Sequence, residues 1–362
     1  VTAALDSALV KEAARRAGFH EVGVASAEPL DPRHLDHVLT RGWQADMAWL
    51  QTQRAERLDP ARLLPGARSV IALALSYRSE EPPGLQPGLV PSSPPGLAAG
   101  PPPGLAPGTG RVARYARGRD YHAVMKKKLK ALVADLSSRA PGARFFPSAD
   151  VAPVMEKTWA ERAGLGWVGK NGCLITPRHG SWVLLATVLT DVTLDPDAPH
   201  PERCGTCQAC LPACPTRAIP EPGYVDSTRC VSFWTIERRG DIPVGMAGQL
   251  GGWVFGCDDC QACCPWNAEV SPGADPELRP RDGQAALPLE ELLTLTEAEY
   301  ARRFHGTSLA RARLDGLVRN AALLAGASGE ARWVPLLLPL RLSPHDGVRA
   351  AAAWALARLG DP

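Results

Sequence analysis

The sequence predicts a layered α/β domain, then a small cysteine-rich module, then a helical C-terminal region. Three observations predict this. Helical and strand periodicities alternate over residues 1–198. Nine of the ten cysteines fall within 199–275, among many glycines and prolines. Apolar residues then return at helical spacing from about 285, so the expected units are 1–198, 199–275 and 276–362. A 362-residue chain has room for two or three cores. Its 45% hydrophobic and 22% charged residues are ordinary for a globular protein. A net charge of +2 excludes a charge-dominated nucleic-acid coat while leaving room for a local basic patch.

Leu5, Leu9, Val10, Ala13 and Ala17 mark one helical face, which Gly18 stops. "EVGVA" (21–25) and "SVIALALSY" (69–77) read as strands, the second apolar enough to be buried on both faces. Residues 81–110 are so rich in Pro and Gly that they read as a flexible surface insertion without regular structure. In 111–136, Val124, Met125, Leu129, Leu132, Val133 and Leu136 line a helix whose start is crowded by Lys126, Lys127, Lys128 and Lys130. "ARFFP" reads as a strand, "VMEKTWAERAG" as a helix ended by Gly164, and "SWVLLATVLT" (181–190) as a buried strand. At the far end, 331–360 reads as a HEAT-like helical pair with Val348, Ala352, Leu356 and Leu359 facing inward. One such pair cannot bury its face alone, so it must pack against the rest of the chain.

The stretch "VTAALDSALVKEAARRAG" is charged throughout, unlike the apolar region of a secretory signal. The longest apolar runs, 182–189 and 334–340, are far shorter than the roughly 20 residues that cross a bilayer. Ten cysteines in such a chain point to metal or cluster ligation in a reducing cytosol, not to disulfides. The expectation is a cytoplasmic protein with no membrane partner.

"CGTCQACLPACP" sets Cys204, Cys207, Cys210 and Cys214 in the spacing C-x2-C-x2-C-x3-C-P, the bacterial ferredoxin run. Short gaps let a turning backbone present three thiolates to one [4Fe–4S] cube while the fourth reaches a second cube. The competing zinc ribbon needs two separated CxxC pairs and no third close cysteine. A two-cluster module needs eight thiolates, and "CDDCQACCPWN" supplies Cys257 and Cys260, with Cys264-Pro265 repeating the first run's ending. By that symmetry Cys264 crosses to the first cluster and Cys214 to the second. Spacing leaves the last ligand open between Cys263 and Cys230.

"RYARGRDYH" (114–122), "ADVAPVMEK" (149–157), "AGLGWVGKNGCLITPRHGSW" (163–182), "CGTCQACLPACPTRAI" (204–219) and "CDDCQACCPWN" (257–267) follow one another in order. With them the chain resembles, from about residue 10 to 320, the epoxyqueuosine reductase family of iron–sulfur and cobalamin enzymes. The resemblance implies a cobalamin-binding α/β domain related to the reductive dehalogenase core, a ferredoxin-like module with two [4Fe–4S] clusters, and base-off cobalamin. It implies one cluster on Cys204, Cys207, Cys210 and Cys264, and the other on Cys214, Cys230, Cys257 and Cys260. Cys263 then fills a small apolar position, and Cys173 is inert packing. The D-x-H-x-x-G signature of a histidine cobalt ligand is absent, because Met125 stands in "DYHAVM" where glycine is required. His122 therefore reads as a helix-start histidine.

The implied reaction removes the epoxide oxygen of epoxyqueuosine at the tRNA wobble base, leaving an alkene and water. It consumes two electrons and two protons, so an acid must stand by the departing oxygen. Asp150 matches the family's proton donor, and a carboxyl beside an apolar macrocycle should hold its proton near neutrality. Glu156 reads as a structural ion-pair partner. The implied cobalamin contacts are Arg57, Tyr115, Asp150, Leu174, Thr176 and Ser227, with the glycine-rich 164–177 approaching the corrin or simply turning from helix to strand. Phosphate contacts to tRNA are expected from Arg117, Arg119, Lys127 and its lysine neighbours, Arg238 and Arg239. An external donor such as a flavodoxin or ferredoxin supplies the electrons, to a monomer. Two alternatives share these features. A reductive dehalogenase would be exported through a twin-arginine signal, and a ferredoxin-like electron carrier leaves Asp150 and the α/β domain unexplained.

Overall fold

Residues 5–80, 105–268 and 270–360 are described by a computed structural model. In chain order the strands are β1 (Glu21–Ser26), β2 (Ser69–Ser76), β3 (Thr109–Val112), β4 (Phe145–Ser148) and β5 (Trp167–Val168). They continue with β6 (Leu174–Ile175), β7 (Val183–Thr190), β8 (Trp253–Phe255) and β9 (Ala286–Pro288). The first domain is built on a sheet in the order β1-β2-β7-β4, and every pairing in it is antiparallel. The helix–strand alternation is present, but without parallel βαβ winding.

Strand β2 is buried along its whole length because its two sets of alternate side chains feed different cores. Ile71, Leu73 and Leu75 pack with α1 (Ser7–Arg16) and α2 (Tyr121–Arg139). Val70, Ala72 and Ala74 pack with Trp159 and Ala160 of α3 (Glu156–Arg162). Each fully buried Leu or Ile contributes about 1.5–3 kcal/mol, so the double-sided strand is the spine of this layer. Asp6 and Asp120 start α1 and α2 by accepting the backbone N–H of Leu9 and His122.

A second sheet, β8-β3-β9, joins three distant stretches, with β3 parallel to β8 and antiparallel to β9. This corrects the expected insertion at 81–110. Residues 81–104 lie outside the described residues, but Leu105 is buried, and Thr109 and Gly110 pair with Pro288 and Leu287. Gly110 is required by close approach: a Cβ there would stand 2.7 Å from that of Val254.

The boundary expected at 275/276 does not separate two cores. Phe233 and Trp234 of α4 (Val231–Ile236), and Trp253 and Phe255 of β8, share one core with Leu317 and Leu323 of α5 (Arg313–Ala327) and Leu356 of α6 (Asp346–Arg358). Two buried polar side chains of α5 reinforce the joint. Arg319 donates to the carbonyls of Trp234, Arg238 and Gly240, and Asn320 to those of Thr235 and Val254. Burial pulls the Arg319 guanidinium down to about 10.

The predicted helical pair is only half regular, since Pro335 and Pro339 reduce 331–342 to short turns. The partner of α6 is α5 instead: a Cβ on Gly326 would stand 2.5 Å from the Cα of Ala355. Val348, Ala352 and Leu356 do face inward, and Leu359 packs partly against the same core. Among the described residues no helix is long and apolar enough to cross a membrane.

Candidate functional site

All ten cysteines are free thiols. The chain turns at Cys210–Ala213 and Asp259–Ala262 lie against each other, which brings the two cysteine runs together. The sulfurs face one another in two sets, with Cys173 and Cys263 near members of both. Burial, then Cys264, Cys204 and Cys207, push the Cys210 thiol up. Burial likewise raises Cys257 and Cys260, with Cys230 acting on both and Cys214 on Cys260. Cys264 thus lies near Cys204, Cys207 and Cys210, and Cys214 near Cys230 and Cys260.

The surroundings fit anionic, cluster-bound sulfur. Burial raises the Cys230 thiol, whereas hydrogen bonds from the Phe233 and Ser232 backbone N–H groups lower it. The Cys214 Sγ accepts the Ala218 N–H at 3.1 Å. Such N–H···S contacts are the means by which a protein tunes iron–sulfur centres. Trp167, Ile175 and Trp266 wall the first set. Among the described residues no three His, Cys, Asp or Glu side chains form a group able to hold a single metal ion. Cys263 stands between the sets and donates its S–H to the Cys260 carbonyl at 3.6 Å. Burial, then Cys210 and Cys264, push it up to about 12.

The glycine-rich stretch turns from α3 into β5 through Gly164 at φ 76°. It then forms the hairpin β5–β6, and its tip grips both cysteine runs. Lys170 Nζ donates to the carbonyls of Gly205, 2.6 Å, and Cys207, 2.9 Å, while Asn171 Nδ2 donates to that of Cys260 at 3.1 Å. Cys173, in the same hairpin, is raised to about 11 by burial. It neighbours Cys230 and Cys264, one sulfur from each set.

Asp150 lies in the loop between β4 and α3 with φ 57°, a left-handed conformation that aspartate tolerates better than most residues. Its side chain is 67% exposed. The protein buries Glu156, beside it, far more deeply. Glu156 Oε1 accepts the Asp150 N–H at 3.1 Å, and desolvation pushes its acid up to about 7, with the Asp150 charge adding to the rise. No ion pair fixes Glu156 among the described residues, which corrects its expected structural role. Tyr121 donates its hydroxyl to Asp150 Oδ2, and His122 Nε2 stands 3.8 Å from the same oxygen. Arg311, from the C-terminal region, faces Asp150 and Tyr121 while held in a two-pronged contact with Glu237.

Tyr115 links the acid to the sulfurs. It packs against Tyr121 and Phe255 with centroids 5.9 and 6.2 Å away, and it senses both Asp150 and Asp258, the neighbour of Cys257. Asp258 is buried, and its Oδ2 accepts the Arg114 N–H at 2.8 Å. Arg57 lies near Glu156 and Asp150, and its Nε is buried without a partner among the described residues. An unpaired buried donor beside the acid fits a ligand rich in amide carbonyls, as the corrin side chains are.

The remaining expected contacts divide. Ser227 is half-buried, its N–H bonded to the Trp43 carbonyl at 2.8 Å. Leu174 and Thr176 are buried, and the Thr176 hydroxyl donates to the Gly180 carbonyl at 3.2 Å. Of the expected tRNA contacts, Arg117 needs correction. Arg117 is 3% exposed and donates Nε to the Val112 carbonyl, which leaves it no phosphate to reach. Arg238 pairs with Asp46 and Asp241, and Arg239 holds the carbonyls of Ile236 and Arg311; both brace the rim internally. Arg119 pairs with Glu277. Lys127, 70% exposed beside Glu277, keeps its ammonium at the surface. Sequence reasoning missed Tyr121 and Arg311. The first stands inside "RGRDYH" and could have been found there, whereas "LARAR" holds no signal at all.

Two family models match the chain: "Epoxyqueuosine reductase QueG, DUF1730" over residues 57–150 and "4Fe-4S double cluster binding domain" over 203–267. The chain is 42% identical to an epoxyqueuosine reductase of Gloeobacter violaceus, over 90% of this chain and 97% of the relative. It is similar to a crystal structure of epoxyqueuosine reductase with an epoxyqueuosine-modified tyrosine tRNA stem loop, at 31% identity and a TM-score of 0.84. That match covers 98% of this chain and 90% of the other. An epoxyqueuosine reductase structure from Bacillus subtilis, recorded with its catalytic aspartate loop swung out of the active site, matches over the same shares at 30% identity and a TM-score of 0.83.

Proposed function

The chain belongs to the epoxyqueuosine reductase family, and we propose how its own residues carry out that family's reaction. The protein reduces epoxyqueuosine to queuosine at the wobble position of tRNA, the oxirane oxygen leaving as water as the ring carbons become an alkene. Its resident groups are two [4Fe–4S] clusters and cobalamin, which supply single electrons and a low-potential metal centre that works on carbon.

Cys204, Cys207, Cys210 and Cys264 hold the outer cluster, where exposed Cys207 marks the side open to an external donor of flavodoxin or ferredoxin type. Cys214, Cys230, Cys257 and Cys260 hold the inner one, next in the chain to Asp258, whose charge Tyr115 senses together with that of Asp150. Arg57 offers its unpaired Nε to the corrin periphery. Tyr115 and Ser227 border the same space, and Leu174 and Thr176 support it from within.

Asp150 protonates the oxygen as it departs. Its exposed loop, with neighbouring Val151 76% exposed, suits a group that meets a macromolecular substrate and closes on it. Tyr121 aims the carboxyl through its hydroxyl, and Glu156 holds the backbone N–H that fixes the left-handed turn. Lys127 and Arg311 stay exposed enough to meet phosphates, while Arg238 and Arg239 set the rim that carries Arg311. The protein acts as a cytoplasmic monomer.

The observation that carries this reading is the Asp150 carboxylate bonded to the Tyr121 hydroxyl, with Tyr115 packed against Tyr121 and facing both Asp150 and Asp258, the chain neighbour of Cys257. Anaerobically reconstituted, cobalamin-loaded protein should convert epoxyqueuosine in tRNA to queuosine with a chemical reductant, read by nucleoside mass spectrometry. Loaded protein that leaves the epoxide untouched removes the reading.

A further inference from the structure

We propose that His122 returns to Asp150 the proton it gives up, so that Asp120, His122 and Asp150 form the proton route of the site. The proposal rests on Asp150 being the acid, and it names the residue that keeps that acid supplied. The reaction takes two protons, and Asp150 carries one. Once an RNA base covers the loop, a carboxyl reloaded only by bulk water loses its source.

The arrangement around the ring meets this need. Nδ1 lies 2.8 Å from Asp120 Oδ1 and Nε2 lies 3.8 Å from Asp150 Oδ2. Asp120 is itself fixed, since it caps α2 through the His122 N–H and donates its own N–H to the Gly306 carbonyl at 2.8 Å. Nδ1–H to Asp120 sets the ring so that Nε2 is the atom presented to Asp150. The ring stacks on Tyr121 with centroids 4.0 Å apart, and Tyr121 bonds the same carboxylate oxygen. A 40% exposed imidazole still touches water on its outer side, where it can be reloaded. Helix capping explains the bond from Asp120 to the His122 backbone. It does not explain why the far ring nitrogen faces the acid.

Charge supports the same reading. The hydrogen bond to Asp120 raises the His122 pKa, burial opposes it, and the Asp120 and Asp150 charges add to the rise. Arg311 lowers it, with its charge partly answered by Glu237. The step balances simply. As Asp150 becomes a carboxylate, the His122 Nε2–H bond breaks and an Asp150 O–H bond forms, with no electron moved. Neutral His122 then takes a proton from water. A separation of 3.8 Å is loose for transfer, as such contacts often are before substrate closes the site.

The test compares wild type, His122→Ala and His122→Gln on epoxyqueuosine tRNA from about pH 6 to about pH 8. His122→Ala should lose roughly tenfold to hundredfold in steady turnover at the alkaline end and less at the acid end. Added imidazole should restore it. Cluster and corrin spectra should stay unchanged, and Asp150→Asn should not respond to imidazole. Wild-type turnover in His122→Ala, or a loss that Gln repairs and imidazole does not, overturns the relay. A second readout needs no turnover. In NMR titration His122 should ionise above the ordinary value of about 6.5 and fall toward it in Asp120→Asn; a His122 that does not move overturns the proposal. Wild type that converts no tRNA would instead indict the assignment of the reaction, and the titration would still decide whether the array is coupled.

Discussion

Seven of the eight assigned ligand cysteines lie in two short runs, 204–214 and 257–264, with Cys230 the exception. The groups around Asp150 come from four separated places: Arg57, the stretch Tyr115 to His122, Glu156, and Arg311. Cys204 and Cys264 pack with Trp167 and Ile175, and Cys230 and Cys257 against the core around Phe255, with Cys207 exposed at the edge, while Asp150 faces outward on a left-handed turn. The difference follows from what each side must do. Electron transfer needs fixed, dry ligands whose positions never change. Proton transfer to a large RNA substrate needs an acid that can be approached, covered and uncovered. One protein thus holds a rigid half and a yielding half, with Tyr115 between them.

Removing a fixed ligand should do the most damage. Cys230→Ala should lose about half the iron per chain and all turnover, read by iron analysis and electron paramagnetic resonance of reduced protein. Full iron in that variant would return the fourth ligand to Cys263. On the yielding side the effect should be smaller and depend on pH. Glu156 is raised toward about 7 by burial, above its unfolded value. Its contribution to stability is therefore complete below the unfolded pKa and is lost as pH rises through the folded one. Glu156→Gln should abolish that loss, gaining on the order of 1 kcal/mol over wild type at about pH 8 relative to about pH 5. Parallel melting-temperature profiles for the two proteins would place the ionisation elsewhere. The smallest effect belongs to Cys263→Ala, which should keep its iron and fall within about 1 kcal/mol of wild-type stability in chemical denaturation.

The same contrast explains what could be read from the sequence. Cysteine spacing is local, so the double-cluster module was legible in the order of residues along the chain. The nearness of Cys230 to Cys257 and Cys260 was not, because it comes from a separate turn at the start of α4. Periodicity located the helices and the doubly buried β2, but strand direction is not written in burial, and the antiparallel order of the sheet emerged only from the pairing. Basic residues misled for a related reason. A guanidinium in a sequence looks like a phosphate contact, yet Arg117 is buried and bonded to a backbone carbonyl. The neighbours of Asp150 converge from far apart in the chain, and only tertiary structure could reveal Glu156 beneath it and His122 beside it.

The most direct measurement is single turnover by Asp150→Asn, with both clusters reduced beforehand and product read on tRNA. Iron content and cluster reduction should match wild type while queuosine formation falls by roughly a hundredfold or more. Near-normal formation of queuosine by that variant would contradict the assignment of Asp150 as the acid and, with it, the division of the molecule into a fixed electron side and an open proton side.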